Sequence, residues 1–395
     1  MRLIHTSDWH LGRSFHQVGL LGAQAAYLDS LVDVVRRERV DAVLVSGDVY
    51  DRAMPSPETV DLLSQSLVRL VDAGAQVVVS SGNHDSAIRL GFASGLLERA
   101  GVHLRTCVAD VGRPVLVGDV ALHPLPYLEP ALVADALGAT ERTHAGVLRA
   151  AMGRVRADAA TRAGRTVVMA HAFVTGGVSS ESERDISVGG VSAVPPDVFA
   201  GVDYTALGHL HGRQEVATGV RYSGSPVAMS FSEWAHRKGS LLVDLSGDTP
   251  VVEHVEAPVE RPLALLRGTL EQLLTDPAHR GAEASWCQVT LTDPQRPLGA
   301  MDQVRRRFPF ALELRFDPQG ATVPLRPYAA RVATATDVEV CCDFLGHVRG
   351  GRAASDDERA LLVEAVEASR VARQVGDDEG VAAGFAADTG SAGAA

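Results

Sequence analysis

Five short clusters of residues able to ligate metals or move protons recur along the chain: Asp8-Trp-His10, Gly47-Asp48-Val-Tyr-Asp51, Gly82-Asn83-His84-Asp85, His171 and Gly208-His209-Leu-His211. Carboxylate, imidazole and amide oxygen together suit Mn, Fe or Zn better than Mg or Ca. Asp8, His10, Asp48, Asn83, His171, His209 and His211 make seven ligands, too many for one ion but suited to two that share a bridging carboxylate. Asp48 is the natural bridge, being the acid with no ligand beside it. Two cations about 3.5–4 Å apart clamp both the attacking and the leaving oxygen of a phosphoryl displacement. Taken singly, each cluster is ordinary. Asp-x-His commonly ends a strand, Gly-Asp and Gly-Asn-His-Asp are turn chemistry, and only Gly-His-x-His is moderately specific. The set of five, each closing an apolar run, carries the chemical meaning. His103, His123, His144, His254, His279 and His347 read as surface or core residues, and His5 as a structural residue inside the first strand.

Strands must carry these clusters. RLIHTS (2–7), DAVLVS (41–46) and VVVSS (77–81) read as strands, separated by helical spacing over 21–37 and 57–73. This alternation predicts an α/β layered core with buried strands. Further strands are expected at 166–171, 203–208, 220–223, 239–245 and 250–256, and their close spacing predicts antiparallel hairpins. The Ala- and Arg-rich segment 142–162 reads as a helix. In layered α/β sheets the loops at the carboxyl ends of strands gather along one edge, which would assemble the five clusters. Residues i and i+2 of an extended segment share a side, so Asp8 and His10 are expected to face one point, and so are His209 and His211.

After Pro258–Pro262 the pattern changes. Cys287, Val289 and Leu291, then Phe310, Leu312, Leu314 and Phe316, alternate as two strands flanking a helix at Met301–Arg307, a small α/β unit over roughly 261–325. Val338, Cys341, Cys342, Leu345 and Val348 follow at helical spacing. Ser355-Asp-Asp-Glu358 is a capping box opening a helix with Leu361, Leu362, Ala365 and Val366 on one stripe. From about Val375 the composition is that of a disordered tail.

The chain has 395 residues, enough for two or three domains. Its 46% hydrophobic and 22% charged residues permit an ordinary soluble core. No apolar run approaches the roughly 18 residues of a membrane span, and no signal core follows the N-terminus, so a cytoplasmic protein is expected. The four cysteines fit neither a disulfide framework nor a zinc knuckle. A net charge of −12 argues against autonomous tight binding to nucleic acid, although not against a nuclease whose metals or partner meet the phosphates. Lys238 is the only lysine among 37 Lys and Arg residues, which reads as coding bias.

Together the clusters resemble the signature of the calcineurin-like metallophosphoesterase superfamily. HTSDWHLGRSFH (5–16), SGDVYDRAMPS (46–56), SGNHDS (81–86), YTALGHLHGRQ (204–214) and YSGSPVAMSFSE (222–233) are similar, more closely, to the SbcD family of bacterial DNA-repair nuclease subunits. The likeness covers about residues 1–260, and the later unit matches that family's capping domain by position and size only. The resemblance implies a layered α/β metallophosphoesterase sandwich, two mixed β-sheets flanked by helices, with a small α/β capping domain and C-terminal helices. The expected divisions are a nuclease domain over 1–260, a capping domain over 261–335, partner-binding helices over 336–375 and the tail over 376–395. By the same resemblance, one divalent ion is held by Asp8, His10, Asp48 and His211, the other by Asp48, Asn83, His171 and His209, both most simply Mn2+. His84 is the non-ligand histidine that protonates or stabilises the leaving 3′-oxygen, and Asp51 orients its imidazole. Asp85 either braces its loop or is plain turn chemistry. Arg13 and the loop 179–184 either contact DNA or are solvated surface. The implied activity is 3′–5′ exonuclease on duplex DNA and endonuclease on single strands and hairpins. The implied partner is the SbcC ATPase, in a heterotetramer built on a homodimer. Two alternatives stay open: a small-molecule or cyclic-nucleotide phosphodiesterase using the same metals, and a non-catalytic scaffold of the same fold.

Overall fold

The computed structural model describes residues 1–183, 193–319, 336–349 and 352–369, within two compact units, Met1–Ala264 and Leu265–Ala395. The first unit is built on two six-stranded sheets. One runs in the order β14 (Val251–Glu256), β13 (Gly239–Asp244), β1 (Arg2–Thr6), β4 (Ala42–Ser46), β5 (Gln76–Ser80) and β6 (Val102–Arg105). The other runs β11 (Gln214–Ala217), β12 (Val220–Tyr222), β10 (Tyr204–Gly208), β9 (Thr166–His171), β8 (Val120–Pro124) and β7 (Val115–Val117). A two-residue hairpin, β2 (Ser14–Phe15) and β3 (Val18–Gly19), follows β1.

The strands read as continuous apolar runs because both of their faces are buried. Ile4, Val43, Val45, Val77 and Val79 pack with Leu28, Leu31, Val32 and Val35 of α1 (Leu21–Glu38) and with Leu63 and Leu70 of α2 (Pro57–Asp72). The alternate residues Leu3, Leu44 and Val78 meet Leu122, Val167, Met169 and Tyr204 of the second sheet. That sheet's far face, with Val168, Ala170 and Leu207, packs with Ala134 and Leu137 of α5 (Pro130–Leu137) and with Val147, Leu148, Ala151 and Val155 of α6 (His144–Ala159). The short helices α3 (Ala87–Leu90) and α4 (Ser94–Leu97) lie between β5 and β6.

Chain direction departs from expectation in the second sheet. β8, β9, β10 and β12 are mutually parallel, and only β7 and β11 at its edges run antiparallel. Spacing misled here because α6 and the segment between β9 and β10 supply the crossovers that parallel strands need. The expected hairpin of β13 and β14 is present, and β13 pairs antiparallel with β1.

His5 joins the two sheets. Fully buried, its Nδ1 lies 3.0 Å from the Tyr204 hydroxyl and its Nε2 3.0 Å from the Leu207 carbonyl. Burial pushes this imidazole down to about 3, against the Leu207 hydrogen bond. The unfolded chain therefore takes up a proton below its ordinary value of 6.5 that the folded chain refuses. The stabilisation is complete above that value and declines as the pH falls toward 3. His5→Gln, which does not titrate, is expected to remove about 2 kcal/mol of the stability lost between pH 6.5 and pH 5, read from urea unfolding at both pH values.

A three-stranded sheet, β15 (Leu263–Gly268, beginning two residues before the second unit), β16 (Trp286–Leu291) and β17 (Ala311–Phe316) in that order, follows, with β16 and β17 parallel. α7 (Leu270–Thr275) opens on a capping box formed by Thr269 and Gln272. α8 (Ala300–Arg307) buries Ala300 and Val304. β15 and α7 go beyond the sequence reading, since LALLRG has no period-2 alternation. Phe310 precedes β17 rather than lying in it, and the strand's burial does not alternate cleanly. α9 (Asp337–Val348) is capped by Thr336 and Glu339, and a further helix covers 356–369. Ser355 and Glu358 exchange the two bonds of a capping box, at 2.9 and 3.3 Å. The expected tail over 376–395 lies outside the described residues. No described helix is long and apolar enough to cross a membrane, and the four cysteines are free.

Candidate metal centre

Each cluster leaves the carboxyl end of a strand: residues 7–10 follow β1, 47–51 follow β4, 81–85 follow β5, His171 ends β9, and 209–211 follow β10. The loops after β1 and β4 run side by side, with Asp8 N donating to Gly47 O at 3.1 Å and His10 N to Asp48 O at 2.9 Å. Ser46 Oγ donates across the sheets to Ala206 O at 3.0 Å, bringing the ends of β4 and β10 together. The backbone is not extended here. Asp8, His10, Asp48 and His209 have φ of 52, 43, 49 and 105°, four of the eight non-glycine residues at positive φ among the described residues. Such strain persists where surrounding structure over-determines it and clusters at functional sites.

The expected site residues converge. Asp8, His10 and His211 offer ligand atoms within 4.8 Å of one another, and so do Asp8, Asp48 and His171. Asp48 Oδ2 stands between the halves, 3.5 Å from His10 Nε2 and 3.4 Å from His171 Nε2. Asn83 Oδ1 is 2.8 Å from His171 Nε2, and the His209 ring meets the His171 ring at 5.4 Å between centroids. His211 instead turns to His10, with their Nε2 atoms 3.2 Å apart. His209 and His211 thus serve different halves rather than one point, because the left-handed turn at His209 breaks the alternation of an extended strand. His84 stands at the edge, its Nε2 4.0 Å from Asp48 Oδ2.

The electrostatics fit a cation site. Burial raises the Asp8 carboxyl to about 6, with His171 and His211 opposing and Asp48 adding repulsion. Burial also opposes ionisation of Asp48, but His171, His10 and His84 hold its carboxyl well below the usual range. Burial lowers His10 to about 4 and His209 to about 3, leaving both neutral, the form that coordinates metal. Burial acts the same way on His171, but Asp48 outweighs it and raises the ring to about 9. Two facing imidazole nitrogens and two buried carboxylates are the donor set that a pair of divalent ions satisfies. Asp8, His10, Asp48, Asn83, His171, His209 and His211 would hold them.

Several surrounding residues differ from expectation. The Asp51 carboxylate is turned to His10 and Arg13: it lies 3.5 Å from His10 Nδ1 and accepts from Arg13 Nη1 at 3.2 Å. His84 is oriented by the Asp51 backbone carbonyl, 2.9 Å from its Nδ1, since the turn presents main chain rather than side chain to that ring. Arg13 is held in place rather than freely solvated, because its other nitrogen donates to Ser182 O at 3.0 Å. Asp85 braces two loops, accepting from Val49 N, Tyr50 N and Gly82 N at 3.1, 2.9 and 2.9 Å. Burial and the neighbouring Asp48 raise its carboxyl to about 7.

Sequence reasoning missed Ser7, which donates to Asp8 Oδ2 at 2.5 Å, and Gln24, which donates to His10 O at 2.7 Å. It also missed Ser182, Glu233 and Lys238 behind His211. Glu233 closes the motif 222–233 and Ser182 lies in the loop 179–184, but neither segment carries a link to His211 in the sequence, and composition alone reads the lone lysine as coding bias.

The loops pack so closely that glycine is required. A Cβ on Gly82 would sit 2.1 Å from Asp48 Oδ1, and one on Gly208 would sit 1.8 Å from Ser46 O. Gly82→Ala is expected to displace Asp48 and weaken divalent-metal binding by about 10–100-fold, measured by calorimetric titration of protein verified as folded by circular dichroism.

Comparison with known proteins gives the chain's family. Residues 1–213 match the family model of the calcineurin-like phosphoesterases, and residues 259–348 match that of the type 5 capsule protein repressor C-terminal domain, SbcD_C. The SbcD component of the nuclease SbcCD from Rhodobacter capsulatus is 38% identical over 68% of this chain and 71% of its own length. Its counterpart of the same name from Staphylococcus saprophyticus is 30% identical over 70% of this chain and 74% of its own. The solved calcineurin-like phosphoesterase YfkN from Bacillus subtilis covers 65% of this chain and 89% of its own at 12% identity, with a TM-score of 0.33.

Proposed function

Because the chain belongs to the calcineurin-like phosphoesterase family, in the branch of the SbcD nuclease subunits, we propose that it is a Mn2+-dependent DNA nuclease acting with an SbcC ATPase partner. Its reactions are 3′–5′ exonucleolytic shortening of duplex DNA and endonucleolytic cleavage of single strands and hairpins, in break and hairpin processing. The observation that carries this reading is the convergence of Asp8, His10, Asp48, Asn83, His171, His209 and His211.

When bound, two divalent ions supply Lewis acidity and neutralise the charge that develops on the scissile phosphate. The chain's own residues then divide the remaining work. Asp48 spans the two halves, and its Oδ1 accepts the His84 backbone N–H at 2.9 Å, tying ligand and proton donor together. The Asp51 carbonyl accepts the hydrogen bond from His84 Nδ1–H, so Nε2 is the atom presented to the site. As the imidazolium, His84 gives its Nε2 proton to the departing 3′-oxygen. Asp51 steadies His10 from behind, and Asp85 holds the loops after β4 and β5 in register.

We assign residues 261–335 to the capping domain and 336–375 to the partner-binding helices. α9 buries none of its residues, and Phe344, Val348 and Leu361 are exposed, which fits docking on an SbcC coiled coil. Ile88, Phe92 and Leu96, exposed at four-residue intervals, offer an apolar surface for a homodimer. A net charge of −12 fits DNA being gripped mainly by the partner.

Incubation of end-labelled linear duplex DNA with the protein, SbcC, ATP and Mn2+ tests the proposal. Progressive shortening from 3′ ends is the expected result. Hydrolysis of cyclic nucleotides with intact DNA would favour the small-molecule alternative. Deleting 338–395 is expected to abolish SbcC binding while sparing Mn2+-dependent hydrolysis of a simple phosphodiester.

A further inference from the structure

Behind His211 lies a buried chain of polar groups that the proposed chemistry leaves unused. Ser182 Oγ is 2.6 Å from His211 Nδ1 and 2.5 Å from Glu233 Oε1. Glu233, 1% exposed, is ion-paired through its other oxygen with Lys238, 7% exposed. Lys238 Nζ also donates to His211 O at 3.0 Å and to Ser225 Oγ at 2.9 Å. Glu183 Oε1 accepts the His211 backbone N–H at 2.8 Å. Arg13 joins this group to the second histidine of the same half of the site: one nitrogen reaches Ser182 O, and the other reaches Asp51, the carboxylate behind His10.

Counting donors fixes the direction of these bonds. A carboxylate paired with an ammonium only accepts hydrogen bonds. Ser180 Oγ, 2.8 Å from Ser182 Oγ, can itself donate, whereas Glu233 cannot; the Ser182 O–H therefore points to Glu233, which leaves only oxygen lone pairs for the imidazole. His211 Nδ1 must then carry the proton. In a neutral ring that makes Nε2 the lone-pair nitrogen, and Nε2 is the atom that faces His10.

We infer that Ser182, Glu233 and Lys238 form a relay that positions His211, fixing its tautomer and ring plane toward the metal, with Arg13 coupling the relay to Asp51 and His10. The inference rests on the reading of His211 as a metal ligand. A buried ion pair is weak evidence of stabilisation in itself; here every member points, directly or through Ser182, at one ring nitrogen or at the His211 main chain.

The test uses the full-length protein labelled with 15N-histidine, and Mn2+ alone as the probe. Ser182→Ala deletes one hydroxyl, and Ser182→Thr keeps it. Long-range 1H–15N spectra of metal-free wild-type protein are expected to read His211 as the Nδ1–H tautomer, and those of Ser182→Ala as a mixture. Glu233→Gln, whose amide can donate to Ser182 and reverse the bond, is expected to give the same mixture. In Mn2+ titrations followed by electron paramagnetic resonance, Ser182→Ala should weaken one of two sites by about 10–100-fold and largely spare the other, with Ser182→Thr restoring it. Unchanged tautomer and unchanged affinity in Ser182→Ala would overturn the relay alone. So would equal weakening of both sites that Ser182→Thr fails to restore, which marks a merely structural loop. Wild-type protein that binds no Mn2+ would overturn the relay together with the reading it rests on.

Discussion

Asp48→Ala is expected to leave a folded protein with neither half of the metal site intact and with metal-dependent phosphodiester hydrolysis reduced at least about 1,000-fold. The reason is position. One oxygen of this side chain lies 3.5 Å from His10 Nε2 and 3.4 Å from His171 Nε2, and the other accepts the His84 backbone N–H at 2.9 Å. Among the described residues, no other carboxylate reaches both a ring of each half and the loop of the proton donor. The polarising effect of bound metal is worth several kcal/mol, and each 1.36 kcal/mol is a factor of ten in rate. Atomic absorption on the purified variant, beside a single-turnover assay, checks both parts. A variant that retained two tightly bound ions and near-native turnover would contradict the bridging assignment.

His84→Ala is expected to behave in the opposite way with respect to metal. Its stoichiometry and affinity for Mn2+ should match the wild type, while cleavage of DNA falls by about 100- to 10,000-fold, the usual contribution of a positioned acid or base. Its ring is already oriented by the Asp51 carbonyl at 2.9 Å, and its Nε2 is held 4.0 Å from Asp48 Oδ2, at the edge of the cluster. Substrate choice provides the sharper readout. A nitrophenyl phosphodiester expels a leaving group that needs no proton, so the variant should lose much less activity on it than on DNA. Equal losses on both substrates, or loss of an ion, would show that His84 acts as a ligand rather than as an acid. Asp51→Asn is a useful companion, because its side chain steadies His10 while its main chain serves His84. The two roles of one residue are then separable by mutation of the side chain alone.

Chemistry of residue type and local order were legible before any coordinates. Leu3, Leu44 and Val78 and their neighbours Ile4, Val43 and Val77 form unbroken apolar runs because opposite faces of each strand meet different layers, and such runs announce buried strands. The ligand types closing those runs pointed to two cations and to phosphoryl transfer. Ser355 and Glu358 announced their own helix start, since a capping box is a contact between residues three apart. What required the tertiary structure was every partnership across long separations. The Asp51 side chain turned out to brace His10 while its main-chain carbonyl orients His84, Arg13 to join Asp51 with Ser182, and Ser182 to meet His211 and Glu233, residues 29 and 51 positions away. Left-handed backbone at Asp8, His10, Asp48 and His209 aims those side chains where an extended strand would not. Propensity and periodicity describe how a residue relates to near neighbours in the chain; the aim of a side chain after a turn, and the partner it meets there, depend on how separate loops pack.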